Sequence, residues 1–193
     1  MGYKPSFSSP AVRWGHDNEP RARQVYIDYM NVCGHDIKVE ECGLHLLPEC
    51  SFLGASSDGT VIDSSLDDLC CGCLEIKCPF SCNNRPVMDI SPKEIVKQFP
   101  TYSSMELGDD GNLHLKEKHK FYDQVMGEIA ILGVDWCDFV VFTNAGIAVD
   151  RIAFDQVYWE DHMLPVLKKF FIDNIVDELI RGTLWFSKYC SKR

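Results

Sequence analysis

The chain has 193 residues, enough for one domain with a substantial buried core. Its composition, 46% apolar and 25% charged, is ordinary for a globular protein, and no apolar run approaches the roughly 20 residues that span a bilayer. The formal net charge of −10 argues against a non-specific DNA coat protein, because duplex affinity comes largely from Lys and Arg. An enzyme that grips nucleic acid at a local basic strip remains compatible. The candidate strips are Lys93 with Lys97, and the run Lys116, Lys118, His119 and Lys120.

The ten cysteines are scattered through apolar segments, and the chain starts without the apolar stretch of a secretory signal. We therefore predict reduced thiols in an intracellular protein, nuclear or cytoplasmic and not secreted. A zinc clip is conceivable at one group, formed by Cys70, Cys71, Cys73, Cys78 and Cys82. This group lacks the paired Cys-x2-Cys spacing, and strand alternation places Cys73 and Cys78 on opposite faces. Packed or partly exposed thiols are the alternative interpretation.

The first half of the chain predicts one helix followed by short strands. Residues 1–15 are rich in Ser and Pro and predict an extended arm. A helix capped by Asp17 or Asn18 follows and ends at Gly34. Strands are expected at about 37–47, 51–55, 60–63 and 72–78, with a turn at Asp58-Gly59.

The second half predicts further helices around a buried strand. A loop over 81–91, a short helix to about 99 and a turn at 109–112 precede a long helix at roughly 116–133. The nearly continuous apolar run at 137–143 predicts a central strand, which is followed by a strand at 147–154 and a helix at 156–181. This order predicts an α/β fold, with a central mixed β-sheet flanked by helices on both faces, in a single domain over 1–193.

The strand at 72–78 carries a Glu-x-Lys step. Side chains alternate across a strand, so Glu75 and Lys77 share one face while Ile76 points to the other. Magnesium prefers oxygen ligands, and we predict that Asp58, Glu75 and the Ile76 carbonyl hold it for phosphodiester hydrolysis. Lys77 would position or deprotonate the attacking water, and Glu19 would complete a second metal position or orient a water. Taken singly, each motif has a structural explanation: an exposed ion pair, a turn, or an acid at a helix start.

Five stretches in this order resemble the YqaJ-type viral recombinases, which are relatives of phage lambda exonuclease among the PD-(D/E)xK nucleases. The stretches are Trp14 to Arg23 with Tyr26, Gly54 to Gly59, Leu74 to Pro79, then Leu115-Lys116 with His119 and Phe121 to Gly127, and Cys137 to Val141. The resemblance implies a restriction-endonuclease-like core. It also implies a magnesium-dependent 5′→3′ exonuclease that digests one strand of duplex DNA, with Mn2+ able to replace Mg2+.

The resemblance also assigns roles to individual residues. Asp58, Glu75 and Lys77 match the catalytic acids and lysine of the family. Glu19 matches its helix glutamate, and Gln124 matches a glutamine beside the active site. Substrate-binding residues expected within the matching stretches are Gln124, Ser56 and Tyr122. Ser57 stands where the family usually has proline, and Met126 and Glu128 stand where glutamines are common.

The leading hypothesis is a metal-dependent DNA exonuclease that acts on linear duplex ends in recombination or end processing. The resemblance leaves room for a homo-oligomer and for a recombination partner protein, and no membrane association is expected. Two alternatives stay open: a catalytically idle nucleic-acid-binding or interaction domain with the nuclease fold, and a related endonuclease. Closed circular DNA separates the enzymes, because an exonuclease leaves circles untouched and an endonuclease nicks them.

Overall fold

The computed structural model describes residues 9–68, 70–80, 104–144 and 146–181. The loop expected at 81–91 and the short helix after it lie outside these ranges, as do Cys82, Lys93 and Lys97. The described elements up to the middle of the chain are α1 (Pro10–Val32), β1 (Ile37–Glu40), β2 (His45–Leu47), β3 (Cys50–Ala55), β4 (Gly59–Asp63) and β5 (Cys71–Lys77). They are followed by β6 (Met105–Leu107), β7 (Leu113–Leu115), α2 (Lys120–Leu132), β8 (Trp136–Thr143) and β9 (Gly146–Ala153).

The chain ends its described part in one continuous helical stretch. Two α-helical parts, α3 (Leu164–Phe171) and α4 (Asp177–Arg181), alternate with π-helical turns at Tyr158–Met163 and Ile172–Val176. The ring of Phe171 stacks on that of Phe52 in β3, with centroids 4.0 Å apart. None of the described helices combines the length and the apolar character that crossing a membrane requires.

The predicted central mixed sheet is confirmed. Five strands pair in the order β1-β4-β5-β8-β9, and β5 and β8 are parallel while the other neighbours are antiparallel. Every residue of β8 is buried, as expected for the middle of a sheet that is covered on both faces. The close approach of β5 to β8 depends on Gly72, because a Cβ there would stand 2.3 Å from the Trp136 ring.

Helices cover both faces of this sheet, also as predicted. On one face α1 packs Ala22, Tyr26 and Met30 against the apolar side of the sheet. The sheet residues in that layer are Ile37, Val61, Leu74, Ile76, Trp136, Val140 and Phe142. On the other face α2 packs Val125, Met126 and Ile129 against a second set, Cys73, Cys137, Phe139, Val141 and Ala148. The alternation of β5 therefore sends Leu74 and Ile76 toward α1, and Cys73 toward α2.

The first helix begins earlier than predicted. Residues 10–15 are helical, not part of an extended arm, because Ser9 supplies the cap and Pro10 occupies the first helical position. The Ser9 hydroxyl accepts a hydrogen bond from the Val12 amide at 3.2 Å. Asn18, a predicted cap, instead lies within α1 and donates its side-chain amide to the Trp14 carbonyl at 2.9 Å.

The strand predicted at 37–47 is two strands in two different sheets. β1 pairs with β4 in the central sheet, whereas β2 pairs with β3 in a separate hairpin that contacts α2. The chain leaves the central sheet at 41–44, so the prediction of a single strand over 37–47 was wrong. The turn predicted at 109–112 is confirmed, but its flanking strands β6 and β7 were not predicted.

Candidate active site

The residues Asp58 and Glu75 meet where β4 begins and β5 ends. The antiparallel pairing of these strands reaches Gly59 opposite Leu74, which brings the preceding Asp58 next to the last residues of β5. The Asp58 amide donates to the Leu74 carbonyl at 2.9 Å, and its carboxylate accepts from the Ile76 amide at 2.6 Å. The backbone of β5 thus fixes the Asp58 carboxylate beside Glu75.

Lys77 turns toward these acids. Its ammonium donates to the Glu75 carboxylate and to the Gln124 amide oxygen, the latter at 3.1 Å. It also lies over the Phe121 ring, 4.6 Å from the centroid, a distance at which a cation is attracted to the ring face. The predicted sharing of one strand face by Glu75 and Lys77 is confirmed.

Gln124 of α2 joins the helix to this strand. Its amide nitrogen donates to Glu75 at 2.7 Å and to Glu128 at 2.9 Å, while its oxygen accepts from Lys77. Glu75 and Glu128 are each only 4% exposed. A single glutamine side chain therefore fixes two buried carboxyl groups and the lysine relative to one another.

Glu19 approaches the same acids from α1, one helical turn before Arg23. The Arg23 guanidinium donates to the Glu19 carboxylate at 3.2 Å and to the Asp58 carbonyl at 2.7 Å. It thereby bridges the helix on one face of the sheet and the turn that carries Asp58. Its Nε–H is buried without a hydrogen-bond partner among the described residues.

Burial raises the pKa values of the acids in this site. Burial raises the pKa of Asp58, against the opposing effects of the Ile76 N–H and of the charges of Lys77 and Arg23. Burial also raises the pKa of Glu75, which the Lys77 charge opposes and the Asp58 charge increases. Burial, followed by the charge of Asp58, raises the pKa of Glu19.

Burial and the charge of Glu75 also raise the pKa of Glu128, to about 8. Burial is the main cause of these shifts, and repulsion from Asp58 or Glu75 adds to those of Glu19, Glu75 and Glu128. A divalent cation held by oxygen ligands would relieve this repulsion, and the donor set of Asp58, Glu75 and the Ile76 carbonyl fits Mg2+.

Comparison with known families gives the second line of observation. The model of the YqaJ-like viral recombinase domain matches residues 1–134. The chain belongs to this family. Comparison with curated proteins found no match.

Two solved structures share the fold. A crystal structure of the alkaline exonuclease LHK-Exo from Laribacter hongkongensis superposes with a TM-score of 0.57 at 24% identity, covering 95% of this chain and 76% of that one. The structure of LHK-Exo in complex with dAMP gives a TM-score of 0.58 at 24% identity, with 98% and 78% coverage. These likenesses confirm the expected restriction-endonuclease-like core.

Two residues expected to bind substrate lie apart from the hydrogen bonds that join the acids. Ser56 is exposed in the turn before Asp58, and the adjacent Ser57 is the buried one, donating to the Gly59 carbonyl at 3.0 Å. Tyr122 packs edge-on against Tyr158 at 5.3 Å. Together with His114 and Asp150, Tyr122 lines a cavity of about 730 Å³.

The cysteine group of the sequence does not converge as a unit among its described members. Cys73 is buried in the core beneath α2, whereas Cys78 packs in the core beneath α1, so the predicted opposite faces are confirmed. Cys70 and Cys71 have their sulfurs 3.7 Å apart at the start of β5. All of the described cysteines are free thiols.

Sequence reasoning gave no role to two residues that the structure places in the site. Arg23 lies within a matching stretch and four residues after Glu19, a spacing that predicts a helical ion pair. Glu128 follows Gln124 by four residues on the same helix, which signals a shared face. The helical spacing does not show that Arg23 also bonds the Asp58 carbonyl. It also does not show that Gln124 links Glu128 to Glu75.

Proposed function

We propose that this chain is a Mg2+-dependent deoxyribonuclease that digests linear duplex DNA from its ends, in the 5′→3′ direction, during recombination or end processing. The observation that carries the proposal is the meeting of Asp58, Glu75 and Lys77 at the end of β5, with Gln124 bonded to the last two. Membership of the YqaJ-like viral recombinase family supports the same activity.

The metal would be held by the Asp58 and Glu75 carboxylates and by the Ile76 carbonyl, and Mn2+ would substitute for Mg2+ because it accepts the same oxygen ligands. When bound, the ion lowers the pKa of water and neutralises charge that develops on the phosphate. Glu19, close enough to Asp58 for the Asp58 charge to raise its pKa, would orient a water or a second ion.

Lys77 would take part in proton transfer and in stabilising the charge that develops during the reaction. Its ammonium is held by Glu75 and Gln124, so its position is fixed before substrate arrives. From there it can orient the attacking water or stabilise negative charge on a phosphate oxygen. Gln124 keeps Glu75 in the orientation that metal binding requires.

Space for a nucleotide lies beside this group. A cavity of about 270 Å³ is lined by Lys77, Cys78, Pro79, Ser104, Phe121 and Val141. The Phe121 ring offers a face on which a base can stack. The dAMP complex of the structurally similar LHK-Exo supports nucleotide binding by this fold.

The test compares 5′-phosphorylated linear duplex DNA with closed circular and single-stranded DNA, with Mg2+ and with EDTA. We expect mononucleotides from linear duplex only, and only with the metal. Lys77→Ala and Glu75→Gln should each lower the rate at least about 100-fold, because each removes a group that acts on the reacting atoms. Lys38→Ala, which removes an exposed lysine on β1, is the matched control and should retain the rate.

Each other result selects a different function. Nicking of circular DNA would replace the exonuclease with an endonuclease. DNA binding without cleavage by the folded wild type would leave a catalytically idle nucleic-acid-binding domain. Equal cleavage by Lys77→Ala and wild type would refute the assignment of this site.

A further inference from the structure

A pair of cysteines lies in the sheet directly behind Glu75. Cys73 of β5 and Cys137 of β8 are register partners in the parallel pair, and both are fully buried. Both side chains point toward α2, within the core layer that this helix covers. Parallel register partners on one face bring their sulfurs close together, in a position that solvent does not reach.

Glu128 enters the same space from α2. One ligand atom from each of Cys73, Cys137 and Glu128 lies within 4.8 Å of the other two. The Glu128 side chain is 4% exposed, and its Oε2 is buried with no hydrogen-bond partner among the described residues. A metal ion bound beside the two thiols would give this buried oxygen a partner.

We propose that Cys73, Cys137 and Glu128 form a binding site for a soft divalent cation of the zinc class, separate from the Mg2+ site at Asp58 and Glu75. Cysteine sulfur and carboxylate oxygen are ordinary zinc ligands, and thiolates select Zn2+ over Mg2+. On binding, each thiol releases its proton and forms a metal–sulfur bond. Glu128, whose burial raises its pKa to about 8, also releases its proton, so up to three protons leave per ion. The three protein ligands leave a fourth coordination position.

The site would act on the hydrolytic centre through one side chain. Glu128 accepts from Gln124 through its other oxygen, Oε1, and Gln124 also donates to Glu75. An ion on Glu128 would therefore fix the inner end of this chain of hydrogen bonds. Because both thiols are buried, the ion would enter as the chain folds and leave slowly.

Slow exchange gives the experiment that separates the two sites. The full chain is expressed with added Zn2+, dialysed against EDTA, and its metal content is measured. The open carboxylate site should lose its ion, and about one Zn2+ per chain should remain. Protein refolded with Co2+ should show the near-ultraviolet charge-transfer band of thiolate coordination, which carboxylate ligands cannot produce. Zinc-free wild-type protein, or a cobalt spectrum without this band, would overturn the proposal.

Variants assign the ligands. The double variant Cys73→Ser, Cys137→Ser should retain at most about one tenth of the zinc that wild type retains. Cys50→Ser removes a thiol that is also buried but lies outside the group, and should retain the full amount. If the double variant retains as much zinc as the control, the ion lies elsewhere and the site is refuted. The wild-type cobalt spectrum decides the matter if the double variant fails to fold.

Discussion

At the level of single side chains, Arg23 connects the parts of the acidic site that come from different elements. It donates to the Asp58 carbonyl and to the Glu19 carboxylate, and lies 3.9 Å from Glu41. Its charge lowers the pKa of both Asp58 and Glu19, against the burial that raises them. Arg23 therefore helps to keep both acids ionised, the state in which they can bind a metal.

We expect Arg23→Met to raise the Mg2+ concentration needed for half-maximal cleavage by about tenfold, because Asp58 and Glu19 lose the group that orients them. A Mg2+ titration of DNA cleavage measures this, and a thermal melt reports the fold. Arg21→Met is the matched control, since Arg21 lies on the same helix but bonds Asn144 and lies over Phe142. If both variants need the same Mg2+ concentration as wild type, Arg23 has no positioning role.

At the level of elements, a buried charge network joins strands that the apolar layers alone would not align. Asp63, at the end of β4, accepts from Arg151 of β9 at 2.7 Å, and also bonds His35 and Ser65. Arg151 donates twice to Asp138 of β8, each time at 2.8 Å. Two strands that are not neighbours, β4 and β9, are thus tied together across the sheet.

Asp63→Asn should destabilise the protein by about 3 kcal/mol at neutral pH, because it removes the fully buried carboxylate of the ion pair with Arg151. Burial alone would raise the pKa of Asp63, but hydrogen bonds from Ser65, Arg151 and His35 outweigh it and lower the pKa. A depressed carboxyl pKa contributes stability above the unfolded value of about 4, and that stability is lost as the pH falls below it.

Urea unfolding at pH 7 and at about pH 3 tests this, and the difference between wild type and variant should shrink at the lower pH. Asp173→Asn removes a carboxylate from an exposed pair with Lys169, and should leave the stability unchanged at both pH values. A difference for Asp63→Asn that is equal at both pH values would show that the charge of Asp63 does not contribute.

The elements also show how far sequence patterns reach. The nearly continuous apolar run of β8 and the alternation in β5 predicted both central strands, because period and burial are local properties of a sequence. The start of α1 was missed because Ser9 and Pro10 read equally well as an extended arm. The break between β1 and β2 was missed because the choice of pairing partner is set by tertiary contacts.

In the candidate site, too, local features could be predicted from the sequence and contacts between separate elements could not. The sequence predicted that Glu75 and Lys77 share a face and that Asp58 binds the same metal ion as Glu75. The bridge made by Arg23 and the convergence of Cys137 with Cys73 could not be predicted, because they join residues from separate elements. Only the register of β5 against β8, and the position of α2 over it, bring these groups together.

At the scale of the whole molecule, the net charge of −10 makes the position of each basic residue important. The run that contains Lys118 and Lys120 leads directly into α2, the helix that carries Gln124 of the candidate site. Lys120 lies 5.5 Å from the centroid of the Phe121 ring, the same ring that Lys77 approaches. Both side chains are exposed, and under the proposed function we expect Lys118 and Lys120 to contact the DNA backbone.

The double variant Lys118→Glu, Lys120→Glu should weaken binding of linear duplex DNA by about tenfold at moderate salt, and lower the slope of log affinity against log salt by about two. Fluorescence anisotropy across a salt series, with Ca2+ in place of Mg2+, measures both quantities. The double variant Lys168→Glu, Lys169→Glu on α3 changes the net charge by the same amount and is the matched control. Because DNA affinity depends on local phosphate contacts, this control should lose much less affinity and keep its slope. Equal losses in the two variants would show that total charge, and not the run beside α2, governs DNA binding.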